Sequence, residues 1–164
     1  MDALVLKAIT LVLTEHLKQH LSDRCFHLAG TGGMKAAVRE VAANLEENQF
    51  VFRTDVLGYY ASIDHQILME IVGRYVQDEA VLALLWGYLR RFVNDGSKFL
   101  DITQGISLGC PLSPLMGALF LKPLDDRMSE LGLFYARFMD DWVILAPTGV
   151  EAASGDKSGE RDDV

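Results

Sequence analysis

The chain of 164 residues contains few cysteines, fewer basic than acidic residues, and no long uninterrupted apolar segment. Its two cysteines, Cys25 and Cys110, are far apart and lack metal-ligand spacing, so we expect neither a disulfide nor a zinc site. Lys7, Glu15 and Lys18 interrupt the first apolar stretch, which is therefore too short for the roughly 18 residues of a membrane span. The sequence predicts a cytoplasmic protein without a membrane partner.

Basic residues are scarce, because 15 lysines and arginines stand against 23 acidic residues and the formal charge is −8. A protein that binds nucleic acid by itself usually presents a basic surface to the phosphates, so this charge argues against such a binder. The hydrophobic content of 50% is that of one ordinary globular domain. The composition changes to small and charged residues over 148–164, and we expect a disordered tail there.

Apolar residues at spacings of three and four predict several helices, two of them with an aspartate, Asp64 or Asp78, as N-cap. The predicted helices cover residues 2–21, 34–45, 65–76, 79–93 and 115–131. We expect the last of these to be the most buried helix. Short strands are predicted at residues 49–57, 98–102, 134–139 and 142–146, and a loop rich in glycine and proline at 104–114.

Two adjacent aspartates, Asp140 and Asp141, lie between the last two predicted strands and are the most informative feature of the chain. Side chains alternate along a strand, so neighbouring carboxylates converge only where the strand turns. The pair therefore predicts a hairpin turn, although it lacks the glycine that such turns prefer. Two like charges about 4 Å apart repel by roughly 4 kcal/mol at an effective dielectric near 20. A divalent cation between the carboxylates would turn this repulsion into a net attraction. A solvated acidic turn is the alternative.

Three segments of the chain form an ordered set of motifs. They are RTDVLGYYASIDH at residues 53–65, QGISLGCPLSPL at 104–115 and YARFMDDWVIL at 135–145. Together they resemble the catalytic motifs of bacterial reverse transcriptases of the group II intron and retron type. The resemblance implies that residues 1–147 form a reverse-transcriptase-like palm with part of the fingers. The implied fold is α+β, with a small antiparallel sheet packed on helices.

The implied activity is that of an RNA-directed DNA polymerase, which transfers a nucleotide to a primer 3′ end with two metal ions. By this resemblance, Asp55 and Asp140 would bind the metals, Asp141 would support them, and the Val56 carbonyl would complete one shell. Two cations about 3.5–4 Å apart stabilise the attacking and leaving oxygens of such a reaction. Carboxylates suit hard cations, so Mg²⁺ is the expected cofactor, with Mn²⁺ as a substitute.

The same resemblance implies a nucleotide pocket and a primer side. The nucleotide-binding residues would be Val56, Tyr60, Gln104 and Gly105, and the primer-side residues Phe138 and Met139. The ring of Tyr60 would exclude a 2′-hydroxyl group, although an ordinary core tyrosine is the alternative. Gly105 would let the backbone approach the substrate closely.

The implied partners are an RNA template, a DNA primer and deoxynucleoside triphosphates, together with a cognate structured RNA. Family members carry a basic fingers segment before this region and a helical thumb after it. We therefore expect a truncated chain with weak or no activity by itself. Two other interpretations stay open: a degenerate palm that serves as a protein or RNA interaction module, and an unrelated metal-dependent phosphohydrolase. The four histidines, His16, His20, His27 and His65, are expected to be surface or capping residues.

Overall fold

The computed structural model of the protein describes residues 3–90, 92–94 and 99–147. The helices and strands in this part are α1 (Ala3–Leu17), α2 (Gly33–Asn44), β1 (Phe50–Thr54), α3 (Tyr59–Ser62), α4 (His65–Gly73), α5 (Glu79–Leu89), β2 (Phe92–Asn94), β3 (Phe99–Asp101), α6 (Ser113–Phe120), α7 (Lys122–Glu130), β4 (Phe134–Phe138) and β5 (Asp141–Ala146). A single 3₁₀ turn, Lys18–His20, follows α1. The predicted tail at 148–164 lies outside the described residues.

The main sheet is antiparallel and has the strand order β1-β5-β4, and β2 pairs with β3 in a separate ribbon. One face of the main sheet packs on α2 through Ala37 and Ala136. The other face packs on α7 through Tyr135, Trp142 and Met128. The predicted α+β architecture, a small antiparallel sheet packed on helices, is confirmed.

The largest apolar core joins α1, α3, α4, α5 and α6. Its fully buried side chains include Leu17, Ile63, Leu68, Leu112 and Leu119. Burying a side chain of this size contributes about 1.5–3 kcal/mol relative to leaving it exposed. The helices around this core therefore form the stable body on which the sheet and the connecting loops are placed.

Both predicted N-caps are confirmed. The Asp64 carboxylate accepts a hydrogen bond from the Ile67 N–H at 2.9 Å. The Asp78 carboxylate accepts from the N–H groups of Ala80 at 2.9 Å and Val81 at 3.0 Å. Each cap satisfies backbone donors that have no partner within the helix, so α4 and α5 begin where the sequence indicates.

Several predicted helices end earlier than expected, among them the one predicted at 65–76, which stops at Gly73. α1 stops at Leu17, before the 3₁₀ turn. α5 stops at Leu89 because Arg90 is extended, with φ −68° and ψ 105°, and residues 92–94 form β2. The helix predicted at 115–131 is two helices, since Pro123 lacks the N–H needed to continue α6 and lies in the first turn of α7.

The expected deep burial of that segment applies to α6 alone. Six of the eight residues of α6 are buried, whereas only Asp125 and Met128 are buried in α7. α6 is thus the more deeply buried of these two helices. None of the helices in the described ranges combines the length and the apolarity needed to cross a bilayer.

Candidate active site

The hairpin of β4 and β5 is confirmed, but its turn is displaced by one residue from the predicted position. Phe138 pairs with Asp141, so the two loop residues are Met139 and Asp140, and Asp141 begins β5. Met139 has φ 58° and is the only residue other than glycine with a positive φ in the described part of the chain. A left-handed residue suits a tight hairpin turn, but at a side-chain-bearing residue it costs on the order of 1–2 kcal/mol. Contacts around the turn must offset this cost.

The first of these contacts comes from Arg137, whose side chain is fully buried. Its Nη1 donates to the Met139 carbonyl oxygen at 2.7 Å. Its Nε donates to Asp125 Oδ1 at 2.9 Å, and its Nη2 donates to Asp125 Oδ2. A buried guanidinium needs such a partner, because an isolated charge in the interior is costly.

Asp125, on α7, is only 1% exposed. Burial raises the pKa of its carboxyl, while the hydrogen bonds from Arg137 act in the opposite direction. The bidentate geometry with a guanidinium that stays protonated is that of an ion pair. Arg137 therefore ties the hairpin turn to α7 through a charge pair that is closed to water.

The second contact comes from His27, which is half-buried. Its Nδ1 accepts the Met139 N–H at 3.0 Å, and its Nε2 lies 3.1 Å from the Pro114 carbonyl oxygen. An N–H only donates and a carbonyl only accepts, so the ring must be neutral with its proton on Nε2. Burial lowers the pKa of His27, which favours the same neutral ring. The predicted surface or capping role is therefore wrong for His27.

The predicted acidic residues lie at one end of the main sheet. Thr54 of β1 pairs with Trp142 of β5, so one further step of this antiparallel register sets Asp55 opposite Asp141. Asp140 lies in the adjoining turn. The fold thus brings residues from distant parts of the sequence to neighbouring strand ends.

The side chains of these residues have different surroundings. Asp55 is exposed, and Asp141 accepts a hydrogen bond from Arg53 Nη2 at 3.0 Å. Asp140 adds to the effect of burial in raising the pKa of Tyr60. Within the described ranges, no three or more His, Cys, Asp and Glu side chains are grouped so as to hold a metal ion. The strand pairing brings the backbone of these residues to one end of the sheet, but their carboxylates do not form a closed ligand group.

The donor chemistry at this end of the sheet fits a hard cation, because the predicted ligands are carboxylate and carbonyl oxygens. The Val56 carbonyl oxygen accepts the Tyr59 N–H at 3.2 Å. A carbonyl oxygen has a second lone pair, so this bond leaves room for another interaction. The residues present therefore fit Mg²⁺ or Mn²⁺ better than a soft metal.

Tyr60 lies on α3 and is half-buried, whereas Tyr59 is 3% exposed and donates to the Gly117 carbonyl. A Cβ atom at Gly117 would be 3.2 Å from both Cε1 and Oη of Tyr60 and 3.3 Å from Cε1 of Tyr59. The glycine of α6 thus lets both rings of α3 pack closely. Tyr60 is partly a packing residue, but besides burial the charge of Asp140 also acts on its hydroxyl group and raises its pKa.

Gln104, which is exposed, and the buried Gly105 both hydrogen-bond to the α3 segment. Gln104 Nε2 donates to the Ser62 carbonyl at 3.0 Å, and the Gly105 N–H donates to the Ile63 carbonyl at 2.7 Å. Gly105 has φ +85°, and a Cβ atom there would lie 3.0 Å from the Ala61 carbonyl oxygen. Close packing on α3 therefore accounts for this glycine.

His65 is the second histidine for which the predicted surface or capping role is wrong. It is 3% exposed, and its Nε2 lies 2.7 Å from the Gly105 carbonyl oxygen, to which it donates. This bond joins the start of α4 to the loop that carries Gln104 and Gly105. His65 therefore stabilises the position of that loop.

Phe138, on the predicted primer side, borders an apolar groove of about 470 Å³ between α2 and the main sheet. Its ring meets the ring of His27 edge to face, with 6.0 Å between centroids. Arg53 and Asp141 line one part of the same groove. The groove thus reaches the end of the sheet at which the aspartates lie.

Sequence reasoning missed His27, Asp125 and Arg137. One signal was present, because Tyr135 and Arg137 occupy alternate positions of a strand and so share a face, and Tyr135 is buried. A charge on a buried face requires a partner, which directs attention to acids on the neighbouring helix. No comparable signal exists for His27, because besides the nearby Cys25 thiol its partners come from residues 114 and 139.

Comparison with known proteins identifies one matching family, one relative by sequence and several solved structures. The model of the family described as reverse transcriptase (RNA-dependent DNA polymerase) matches residues 2–155. Protein YkfC of Escherichia coli strain K12 is 26% identical over 111 residues, which are 65% of this chain and 29% of that protein. Telomerase from Candida albicans, solved in complex with the TWJ fragment of telomeric RNA, is similar in structure with a TM-score of 0.58.

That likeness covers 89% of this chain and 30% of the telomerase chain at 12% identity, and it supports a shared fold. A chain of the partial Cas6-RT-Cas1–Cas2 complex matches 73% of this chain and 22% of its own length at 22% identity, but its TM-score is only 0.37. The chain spans less than a third of the length of each of these relatives. Because the family model matches nearly the whole chain, the chain belongs to the reverse transcriptase (RNA-dependent DNA polymerase) family.

Proposed function

We propose that this chain is the palm of a reverse transcriptase in which Asp55, Asp140 and Asp141 bind two divalent cations for nucleotidyl transfer to a primer 3′ end. The observation that carries the proposal is the pairing of β1 with β5. The Thr54–Trp142 pair sets the residue after β1 beside the hairpin turn that contains the adjacent aspartates. The catalytic cation is Mg²⁺, for which Mn²⁺ substitutes.

The bound cations would supply positive charge to the attacking and leaving oxygens of the phosphoryl transfer. Asp55 and Asp140 would hold them, Asp141 would support them, and the Val56 carbonyl would add an oxygen. Arg53, which donates to Asp141 at 3.0 Å, lowers the repulsion among these carboxylates. The exposed strand ends leave room for the carboxylates to turn toward a shared ion.

The remaining proposed site residues bind and orient the substrates. Tyr60 excludes a 2′-hydroxyl from the nucleotide pocket, and its ring is fixed by close packing over Gly117. Gln104 and Gly105 fix the loop beside α3 that borders this pocket. Phe138 and Met139, at the end of β4 and in the turn, support the primer end.

The substrates of this reaction are an RNA template, a DNA primer and deoxynucleoside triphosphates. With a net charge of −8, the chain binds a duplex weakly at physiological salt. We propose that fingers and thumb segments, or a cognate structured RNA, supply the missing contacts to phosphates. The 164-residue chain alone then extends a primer weakly or not at all. Its action in the cytoplasm, and its descent from a group II intron or retron, are further parts of this proposal.

Primer extension on an RNA template tests the proposal, with the chain alone and with the chain joined to fingers and thumb segments. We expect extension that depends on Mg²⁺ or Mn²⁺ in the joined protein and is abolished by Asp140→Asn. Asp126→Asn is the matched control, because it removes an equivalent charge from an exposed position on α7. Extension that survives Asp140→Asn would exclude the proposed metal ligands.

A second candidate is a degenerate palm that serves as a protein or RNA interaction module. It is favoured by the absence of a closed metal-binding group among the described residues and by the pairing of Asp141 with Arg53. Binding of RNA or a protein by the joined form, with no extension in either metal, would establish this alternative. An unrelated phosphohydrolase is ruled out by the family match.

A further inference from the structure

We propose that His27 is a positioning residue that fixes the Met139-Asp140 turn through a neutral ring with its proton on Nε2. This inference rests on the proposed function, because it concerns the placement of the Asp140 carboxylate. Both backbone polar groups of Met139 are hydrogen-bonded by side chains: the N–H donates to His27, and the carbonyl accepts from Arg137. A left-handed residue is thereby held from both sides.

The segment that carries His27 is itself fixed to β4. Arg137 N–H donates to the Arg24 carbonyl at 2.8 Å, and the Phe26 N–H donates to the Arg137 carbonyl at 2.8 Å. Cys25 thus forms a parallel bridge with Arg137, on the side of β4 that faces away from β5. The residue that follows this short ladder is His27, so its ring has a defined position next to the turn.

The ring then connects the turn to a third segment. Nε2 donates to the Pro114 carbonyl in the first turn of α6, which is the most buried helix described. Met139 immediately precedes Asp140, so a change in the Met139 backbone changes the direction of the Asp140 side chain. His27 therefore fixes the position of Asp140, the proposed metal ligand, relative to α6, and it does so without contacting substrate.

Two substitutions separate the ring's bonds to Met139 and Pro114; the third contact, between Nδ1 and Cys25 Sγ at 3.4 Å, is on the Met139 side of the ring. In His27→Asn the amide oxygen takes the place of Nδ1 and can still accept the Met139 N–H. In His27→Gln the amide nitrogen takes the place of Nε2 and can still donate to Pro114, but the Met139 N–H loses its acceptor. If the bond to Met139 positions Asp140, the Asn variant keeps the function that the Gln variant loses.

The first readout is steady-state primer extension by the protein joined to fingers and thumb segments. We expect about a tenfold lower kcat for His27→Gln, with KM for the deoxynucleotide unchanged and His27→Asn near wild type. Thermal unfolding of both variants shows whether they fold. Equal kcat values for two folded variants would overturn the inference while leaving the proposed function intact.

The second readout does not depend on activity. Long-range ¹H–¹⁵N spectra of the wild-type chain should show His27 protonated on Nε2, and Mn²⁺ titration by electron paramagnetic resonance should show weaker binding for His27→Gln than for His27→Asn. If the joined protein does not extend a primer but Mn²⁺ still binds more weakly to His27→Gln than to His27→Asn, the proposed function fails while the positioning role is supported. Protonation on Nδ1 would overturn the positioning role in either case.

Discussion

The substitution Asp125→Asn tests whether the buried ion pair stabilises the hairpin that carries the adjacent aspartates. Asp125 is 1% exposed and binds Arg137 through both carboxylate oxygens. Removing one partner of a buried pair leaves the other charge uncompensated, which costs about 3–5 kcal/mol. Since domains are stable by about 5–15 kcal/mol, the variant should be close to the limit of folding. We expect the lower end of the range, because asparagine keeps one acceptor oxygen.

The neighbouring residue provides the control, because Asp126→Asn is the same chemical change on the same helix. The Asp126 side chain is 58% exposed and pairs with Lys122 at i,i+4. Exposed pairs of this kind contribute about 0.3–0.5 kcal/mol. The two aspartates therefore differ in their expected cost by a factor of roughly ten.

Urea unfolding followed by circular dichroism measures both variants. With an m value of about 2 kcal/mol/M, Asp125→Asn should lower the midpoint by roughly 1.5 M and Asp126→Asn by about 0.2 M. The double variant Asp125→Leu with Arg137→Met should recover part of the loss, because it removes both buried charges but also the Arg137 bond to the Met139 carbonyl. Midpoints of the two single variants within about 0.3 M of each other would show that the pair does not fix the hairpin.

Two further predictions concern packing and pH. Gly117→Ala should destabilise the protein by about 1–3 kcal/mol and disturb Tyr60, because the new Cβ lies 3.2 Å from its ring. The control Gly73→Ala, whose new Cβ has no atom within 4 Å, should be neutral or stabilising by about 0.4–1 kcal/mol. Thermal unfolding compares the two variants, and equal losses of stability would contradict the close packing at Gly117. Because the pKa of His27 is lowered in the folded state, the unfolded chain binds the proton first as pH falls. The stability that His27 contributes is therefore full above its ordinary value of 6.5 and declines below it, and urea unfolding from pH 8 to pH 5 should show a loss that His27→Asn lacks.

The parts of the fold that the sequence predicted depend on local chemistry. The caps at Asp64 and Asp78 are satisfied by amides within three residues, and the hairpin follows from strand patterns on either side of a short turn. The early end of α5 depends on the extended backbone at Arg90, and the break before α7 depends on Pro123. The prediction followed the apolar periodicity, which continues past both positions, and therefore made both helices too long.

The parts of the site that the sequence did not predict depend on distant contacts. His27 accepts from a residue 112 positions away, and its role follows only from two partners that folding brings together. The motifs indicated Asp55 and the adjacent aspartates, and the pairing of β1 with β5 explains why residues so distant in sequence share one end of the sheet. The one-residue displacement of the turn arises from the left-handed Met139, which its neighbours stabilise.

The most direct measurement of the central claim is a double-mutant cycle on Mn²⁺ affinity, followed by electron paramagnetic resonance. Asp55→Asn and Asp140→Asn should each weaken binding, while Asp126→Asn should not. If both carboxylates bind the same ions, the double variant should lose little more than the stronger single variant, because the interaction is already broken. Unchanged affinity in Asp55→Asn, or losses that simply add, would contradict a shared metal site at the end of the sheet.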